Sequence, residues 1–262
     1  MAGIPVFDGY IFDLDGTIYL GDAALPDAVA TLAKLRAAHR RVAFLSNNPT
    51  HTRAAYTERL SGMGIEARAD EIINSSLVLT RWLAREAPGS RVFVIGEQPL
   101  IDELTEAGFT LSEQTDQIEF VIASFDRTFT YHKLQIAFDA IRAGARFIAT
   151  NGDRYCPVPG GGQPDAAAII AAIEACTATT IEVIVGKPSP ITVAEVAALL
   201  QLPAERCIMI GDRLETDIAM GRNAGMATAL VLTGATTRAM LPESAIVADY
   251  VLDTLAPLAE AL

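Results

Sequence analysis

Short apolar runs alternate along this chain with stretches of helical spacing. Residues 10–12, 42–45, 181–185, 207–210 and 227–231 read as strands, because each apolar run is short, largely continuous and bounded by polar or turn-forming residues. Between them, Val29, Leu32, Ala33 and Leu35 fall on one face of a helix over 27–38, and residues 52–63 form a second helix closed by Gly64. Thr216 can cap a helix over 217–224 that stops at Gly225. Strands alternating with helices predict βαβ units and a parallel sheet, an α/β chain with a Rossmann-like core.

The middle of the chain carries its own set. Residues 92–95, 120–123 and 147–149 read as strands, 99–107, 131–143 and 164–176 as helices, and the Gly/Pro-rich stretch 157–164 as a loop. The chemically suggestive polar residues lie before residue 50 and after residue 185, so the middle set reads as an insertion. The expected organisation is a core of residues 1–80 plus 181–262 and an inserted α/β domain of residues 81–180.

Composition narrows the function classes. The 262 residues carry a formal net charge of −12, which argues against a nucleic-acid partner because broad nucleic-acid binding needs a basic footprint. Cys156, Cys176 and Cys207 form no CxxC pair and are odd in number, so neither a zinc site nor a disulfide framework is expected. With no signal-like N-terminus and no run of about 18 apolar residues, no membrane span is expected and a cytoplasmic location is.

Ligands of an open parallel sheet bind beyond the carboxyl ends of its strands. Those positions hold Asp13-Leu14-Asp15-Gly16-Thr17, Ser46-Asn47-Asn48, Gly186-Lys187-Pro188 and Gly211-Asp212, with Asp217 five residues on. Several carboxylates, a hydroxyl, amides and one ammonium around one spot suit phosphoryl transfer. Clustered carboxylates call for a cation, and hard oxygen ligands favour Mg²⁺. One of Asp13 and Asp15 can attack phosphorus while the other, protonated, donates to the leaving oxygen.

These motifs, in this order, resemble the haloacid dehalogenase superfamily of phosphohydrolases over nearly the whole chain. DxDGT is Asp13 to Thr17, the strand-ending hydroxyl is Ser46, the lysine is Lys187, and GDxxxTD is Gly211 to Asp217. The long interval between Ser46 and Lys187 is similar to subfamily IIA, the nitrophenylphosphatase-like and NagD-like group, whose inserted cap is of type C2. Gly152 stands where many members of that group have Pro, and the 158–164 stretch is richer in glycine.

The resemblance implies that Asp13 is the nucleophile and a Mg²⁺ ligand. Asp15 would be the general acid and then base, and would bind the metal through its carbonyl. Asp212 would complete the metal ligands. Ser46, Asn47, Asn48 and Lys187 would hold the phosphate, Thr17 the Asp15 loop, and Asp217 would support the metal indirectly. Asn151, Asp153 and Arg154 are expected to set specificity. The implied activity is Mg²⁺-dependent hydrolysis of a small phosphorylated metabolite (a sugar phosphate, glycerol phosphate, phosphoglycolate or nucleotide monophosphate) through an aspartyl-phosphate. Homodimerisation through the cap is a further expectation. Asp15 argues against dehalogenation, and the short stretch after the first motif argues against a phosphomutase. A non-catalytic metabolite-binding protein on the same fold is the alternative; the presence of every motif residue favours the enzyme.

Overall fold

The first strand, β1 (Gly9–Asp13), is buried along its whole length, as its uninterrupted apolar run requires. The computed structural model describes residues 4–158, 160–260 and 262. A small hairpin follows, β2 (Tyr19–Leu20) with β3 (Ala23–Ala24), and then α1 (Ala28–Ala37), β4 (Arg41–Ser46), α2 (Arg53–Gly62) and β5 (Ile72–Asn74). Next come α3 (Ser75–Glu86), β6 (Arg91–Ile95), α4 (Gln98–Glu106), β7 (Thr110–Leu111), β8 (Phe120–Ala123), α5 (Tyr131–Arg142) and β9 (Arg146–Ala149). An antiparallel pair, β10 (Tyr155–Val158) and β11 (Gly161–Pro164), precedes α6 (Ala166–Thr177) and β12 (Val183–Ile184). The last elements are α7 (Pro190–Leu200), β13 (Cys207–Gly211), α8 (Ala219–Asn223), β14 (Ala227–Val231) and β15 (Tyr250–Leu252).

The chain forms two compact units. The first holds the residues up to Ser46, Arg53–Ile73 and those from Lys187 onward; the second holds Asn47–Thr52 and Asn74–Gly186. The first unit is a Rossmann-like sheet in the order β15-β14-β13-β1-β4-β5. The pairings from β15 through to β4 are parallel. From β1 the order proceeds to β4 and β5 on one side and to β13, β14 and β15 on the other. β1 is therefore the switch point of the sheet, where neighbouring connections leave in opposite directions and open a crevice. Phe12, Phe44, Ile210, Val231 and Leu35 are among the side chains of its core.

The second unit has its own sheet, β12-β9-β8-β6-β7, parallel throughout, and its own core, including Ile95, Val121, Phe147 and Ile173.

The compact units divide elsewhere than at the expected boundaries of 80/81 and 180/181. β12 lies not in the core sheet but against β9, with Val183 opposite Ile148 and Ile184 opposite Ala149. α3, which the apolar pattern does not announce, is capped by Asn74, whose side chain accepts the Leu77 N–H at 3.0 Å. Most of the 157–164 stretch is paired in the β10–β11 hairpin rather than forming a loop; Pro159 lies outside the described residues. Gly160, at φ 82°, supplies the left-handed backbone that a tight return needs. The helix expected over 217–224 starts earlier, as a wide π-type turn over Leu214–Ile218 that leads into α8. Thr216 therefore sits inside the turn and is not its cap. Asp217 folds its carboxylate back to accept the Arg213 N–H at 3.0 Å, which closes the turn from within.

Candidate active site

Asp13 ends β1 at the switch point. It pairs in register with Leu45, so Ser46 lies one residue beyond it on β4. Phe12 pairs with Ile210, so Asp212 emerges just past the end of β13 on the other side. Local sequence makes the sharp exit from β1 possible. Gly16 adopts φ 88°, and its N–H donates to the Tyr19 carbonyl at 2.8 Å, while Thr17 and Ile18 N–H groups return to the Leu14 carbonyl. A Cβ on Gly16 would stand 2.5 Å from Asp212 Oδ2, and one on Gly234 would overlap the same carboxylate.

The structure brings Asp13, Lys187, Asp212 and Asp217 together. Lys187 Nζ donates to Asp13 Oδ1 at 2.6 Å and to Asp217 Oδ1 at 2.7 Å, all three groups being buried. Asp13 Oδ2 accepts the Thr17 hydroxyl at 3.2 Å. Thr17, expected to support the loop of Asp15, therefore braces the Asp13 carboxylate itself. Asp15 is half-buried and accepts from the Tyr19 hydroxyl at 3.4 Å. Ser46 is buried with its Oγ 3.1 Å from the Tyr56 hydroxyl.

Carboxylate oxygens of Asp13, Asp212 and Asp217 lie within 4.8 Å of one another. With all three carboxylates ionised, the one ammonium of Lys187 would leave two negative charges uncompensated within the cluster. Burial pushes the Asp13 carboxyl well above its usual range; Lys187 opposes this, and Asp217 and Asp212 add to it. Burial and then the neighbouring Asp217 raise Asp212 to about 6. Burial works against the Lys187 ammonium, but Asp13 and Asp217 outweigh it and hold its pKa above the ordinary lysine value. A protonated lysine is therefore a fixed charge of the site, and the strain falls on the carboxylates.

These residues fit a hard divalent cation. Asp212 Oδ2 accepts the Ala235 N–H at 2.5 Å, whereas its Oδ1 is buried with no hydrogen-bond partner. A buried carboxylate oxygen without a donor is costly unless a cation meets it. Asp217, by contrast, has both oxygens engaged, by Lys187 and by the Arg213 N–H.

Asn47, Asn48, Asn151, Asp153 and Arg154 belong to the second unit. Asn48 Oδ1 accepts from the Thr50 N–H at 2.9 Å and hydroxyl at 2.7 Å, a local turn. Asn151 is fully buried and committed: its Oδ1 accepts from the Thr150 hydroxyl at 2.8 Å. Its Nδ2 donates to Asp153 Oδ2 at 2.9 Å and Asp165 Oδ1 at 3.0 Å. The structure thus makes Asn151 a scaffold rather than a side chain open to a ligand. Asp153 Oδ2 also accepts from Asn47 Nδ2 at 2.8 Å. The side chain of Arg154 is exposed.

Sequence reasoning missed Tyr56 beside Ser46, Tyr19 beside Asp15, and the Gly234–Ala235 backbone cradling Asp212. A signal for the last was present: Leu232-Thr233-Gly234-Ala235 follows the run at 227–231 and so leaves another strand end.

Residues 10–110 match the family model of haloacid dehalogenase-like hydrolases, and residues 184–258 match a HAD-hydrolase-like model. Sugar-phosphatase AraL of Bacillus subtilis is 38% identical over 247 residues, 94% of this chain and 90% of that protein. An acid sugar phosphatase of Staphylococcus epidermidis is 35% identical over 231 residues, 88% of each chain. Of solved structures, the 4-nitrophenylphosphatase from Thermotoga maritima superposes with a TM-score of 0.93 at 35% identity, covering 97% of both chains. NagD from E. coli superposes with a TM-score of 0.87 at 28% identity, covering 96% of this chain and 98% of its own. Similarity of this extent, on a parallel sheet that gathers the DxDGT, lysine and GDxxxTD residues at its switch point, means that the chain belongs to the haloacid dehalogenase-like hydrolases, in their nitrophenylphosphatase-like and NagD-like branch.

Proposed function

We propose that this chain, a phosphatase, hydrolyses a small phosphorylated metabolite of the sugar-phosphate class, using Asp13 as a covalent phosphate acceptor with Mg²⁺ as cofactor. The observation that carries the reading is the buried Asp13 carboxylate, held by Lys187 at 2.6 Å beside an Asp212 oxygen that has no donor. The sugar-phosphate class is favoured because the curated relatives are a sugar phosphatase and acid sugar phosphatases.

Asp13, Asp212 and the Asp15 carbonyl would hold Mg²⁺, with Asp217 steadying the cluster through Lys187. When bound, the ion supplies positive charge that lets an anionic nucleophile meet an anionic substrate. Lys187 adds a fixed charge on the same side, and the Ser46 hydroxyl and Asn47 amide hold the transferring phosphoryl oxygens, with Asn48 shaping the turn beside them. A carboxylate oxygen of Asp13 bonds to phosphorus as the bond to the leaving oxygen breaks, and Asp15 gives that oxygen its proton. Asp15, now ionised, takes a proton from water as the water oxygen attacks phosphorus, which releases inorganic phosphate and restores Asp13. Arg154 and the β10–β11 hairpin contribute to specificity. The chain acts in the cytoplasm, and its second unit contributes to a homodimer.

A panel of phosphorylated metabolites assayed with and without Mg²⁺ tests the reading. Metal-dependent phosphate release, greatest for sugar phosphates, is expected. Turnover that ignores chelation, or is confined to another substrate class, would overturn the corresponding part.

A further inference from the structure

We propose that Asp153 is a positioning residue of the phosphatase reaction and that it acts through Asn47 rather than by touching substrate. The inference rests on the reading above, in which Ser46 and the Asn47 amide hold the phosphoryl group.

Asn47 follows Ser46 directly, so whatever orients Asn47 also orients the peptide that joins them. That orientation is built from several directions. Asp153 Oδ2 accepts from Asn47 Nδ2 at 2.8 Å, and the Ser75 hydroxyl donates to the Asn47 carbonyl at 2.7 Å. Gly186 lies so close that a Cβ there would stand 2.8 Å from Asn47 Oδ1 and 2.6 Å from the Thr150 carbonyl.

Asp153 is itself held by its neighbours. Its carbonyl accepts the Ala167 N–H at 3.1 Å, inside the first turn of α6, and its Oδ2 takes a second amide proton from Asn151 at 2.9 Å. Asn151 is tied in turn to Asp165, which caps α6 through the Ala166 N–H at 2.5 Å. A continuous chain of hydrogen bonds therefore runs from the amino end of α6 to the residue after Ser46. A group that reads substrate keeps its acceptors for the substrate; Asp153 spends its Oδ2 on two amides of its own chain. Positioning errors of about 1 Å can cost on the order of 100-fold in rate, which gives such a brace catalytic weight without contact.

The test is a double-mutant cycle in the full chain. Asn47→Ala, Asp153→Ala and the double variant are assayed on 4-nitrophenyl phosphate and on two sugar phosphates of different size, with thermal melts to check folding. Asp153→Asn keeps one acceptor oxygen and serves as the conservative rescue. Expected is a fall in kcat/KM of roughly 10- to 100-fold for Asp153→Ala, by a similar factor on every substrate. Asp153→Asn should stay within about threefold of wild type, and the double variant within about threefold of the worse single one, as members of one network do. Losses that multiply, or that differ by more than about tenfold between substrates, would overturn the proposal in favour of independent or direct contact. If Asp153→Ala does not fold, Asp153→Ser carries the same cycle. Asp13→Asn run alongside separates the two levels. If turnover survives it, the nucleophilic reading falls and takes this inference with it; if turnover is lost but the cycle is additive, this inference falls alone.

Discussion

Lys187 Nζ lies 2.6 Å from Asp13 Oδ1, joining two buried side chains that stand 174 positions apart in the sequence. The contact fixes which way the Asp13 carboxylate faces, and the Thr17 hydroxyl holds its other oxygen. Replacing Asp13 by Asn keeps the shape but removes the charge proposed to attack phosphorus. Turnover is expected to fall by roughly 10³-fold or more while circular dichroism stays that of the folded protein. Phosphate release near the wild-type rate would exclude the covalent route.

The donor-free Asp212 oxygen makes metal binding measurable without catalysis. Added Mg²⁺ at about 100 times its Kd is expected to stabilise the protein by about 2.7 kcal/mol, a rise of roughly 5–10 °C in Tm. Asp212→Asn should reduce that rise sharply. An equal rise in the variant would place the ion elsewhere.

Gly234 is where backbone meets the Asp212 carboxylate. A methyl group there would overlap Asp212, so Gly234→Ala is expected to displace that side chain and lower kcat/KM by at least about tenfold. Wild-type activity with an unchanged Mg²⁺ response would show that the loop yields instead.

Arg154 is exposed, and removing its side chain should leave Tm unchanged. Arg154→Ala is expected to reorder a panel of sugar phosphates by kcat/KM while 4-nitrophenyl phosphate changes little. An unaltered ranking would remove Arg154 from the specificity determinants.

Stability away from the site is carried in part by Glu71, whose carboxylate receives Arg36 at 2.9 and 2.8 Å and the Arg68 N–H at 2.9 Å. Arg36 is partly exposed, which limits the pair's worth to about 1–2 kcal/mol. Glu71→Gln should lower Tm by a few degrees and leave phosphatase activity intact, since it lies outside the proposed machinery.

Much of the core sheet was legible because β1, β4, β13 and β14 are short, largely apolar runs, and the ends of the first three carry the polar motifs. Local pattern is a weaker guide where tertiary context outweighs it. β12 looked like a core strand by its apolar run alone, but a strand's sheet is chosen by its partner, and the partner is β9. The 157–164 stretch looked like a loop because Gly and Pro are poor strand formers; cross-strand pairing of Tyr155 with Pro164 and of Cys156 with Gln163 overrides that preference. At the candidate site, Asp13, Lys187 and Asp212 were visible as charged residues at strand ends. Tyr56, ten residues past Ser46, gave no such sign, because a tyrosine inside a helical pattern reads as core. Asn151 and Asp153 were visible as polar residues, but their hydrogen-bond partners depend on a fold that brings 47, 151, 153 and 165 together.

The backbone passes between the two units at four places: after Ser46, Thr52, Ile73 and Gly186. The second unit is therefore not a cassette on two stalks. A chimera that exchanged only residues 74–186 with a relative would leave the 47–52 hexapeptide behind, stripped of Ser75, Asp153 and Gly186 as neighbours. An exchange of the second unit between relatives must carry that hexapeptide as part of the graft, so the residues just after Ser46 travel with the second unit rather than with the first.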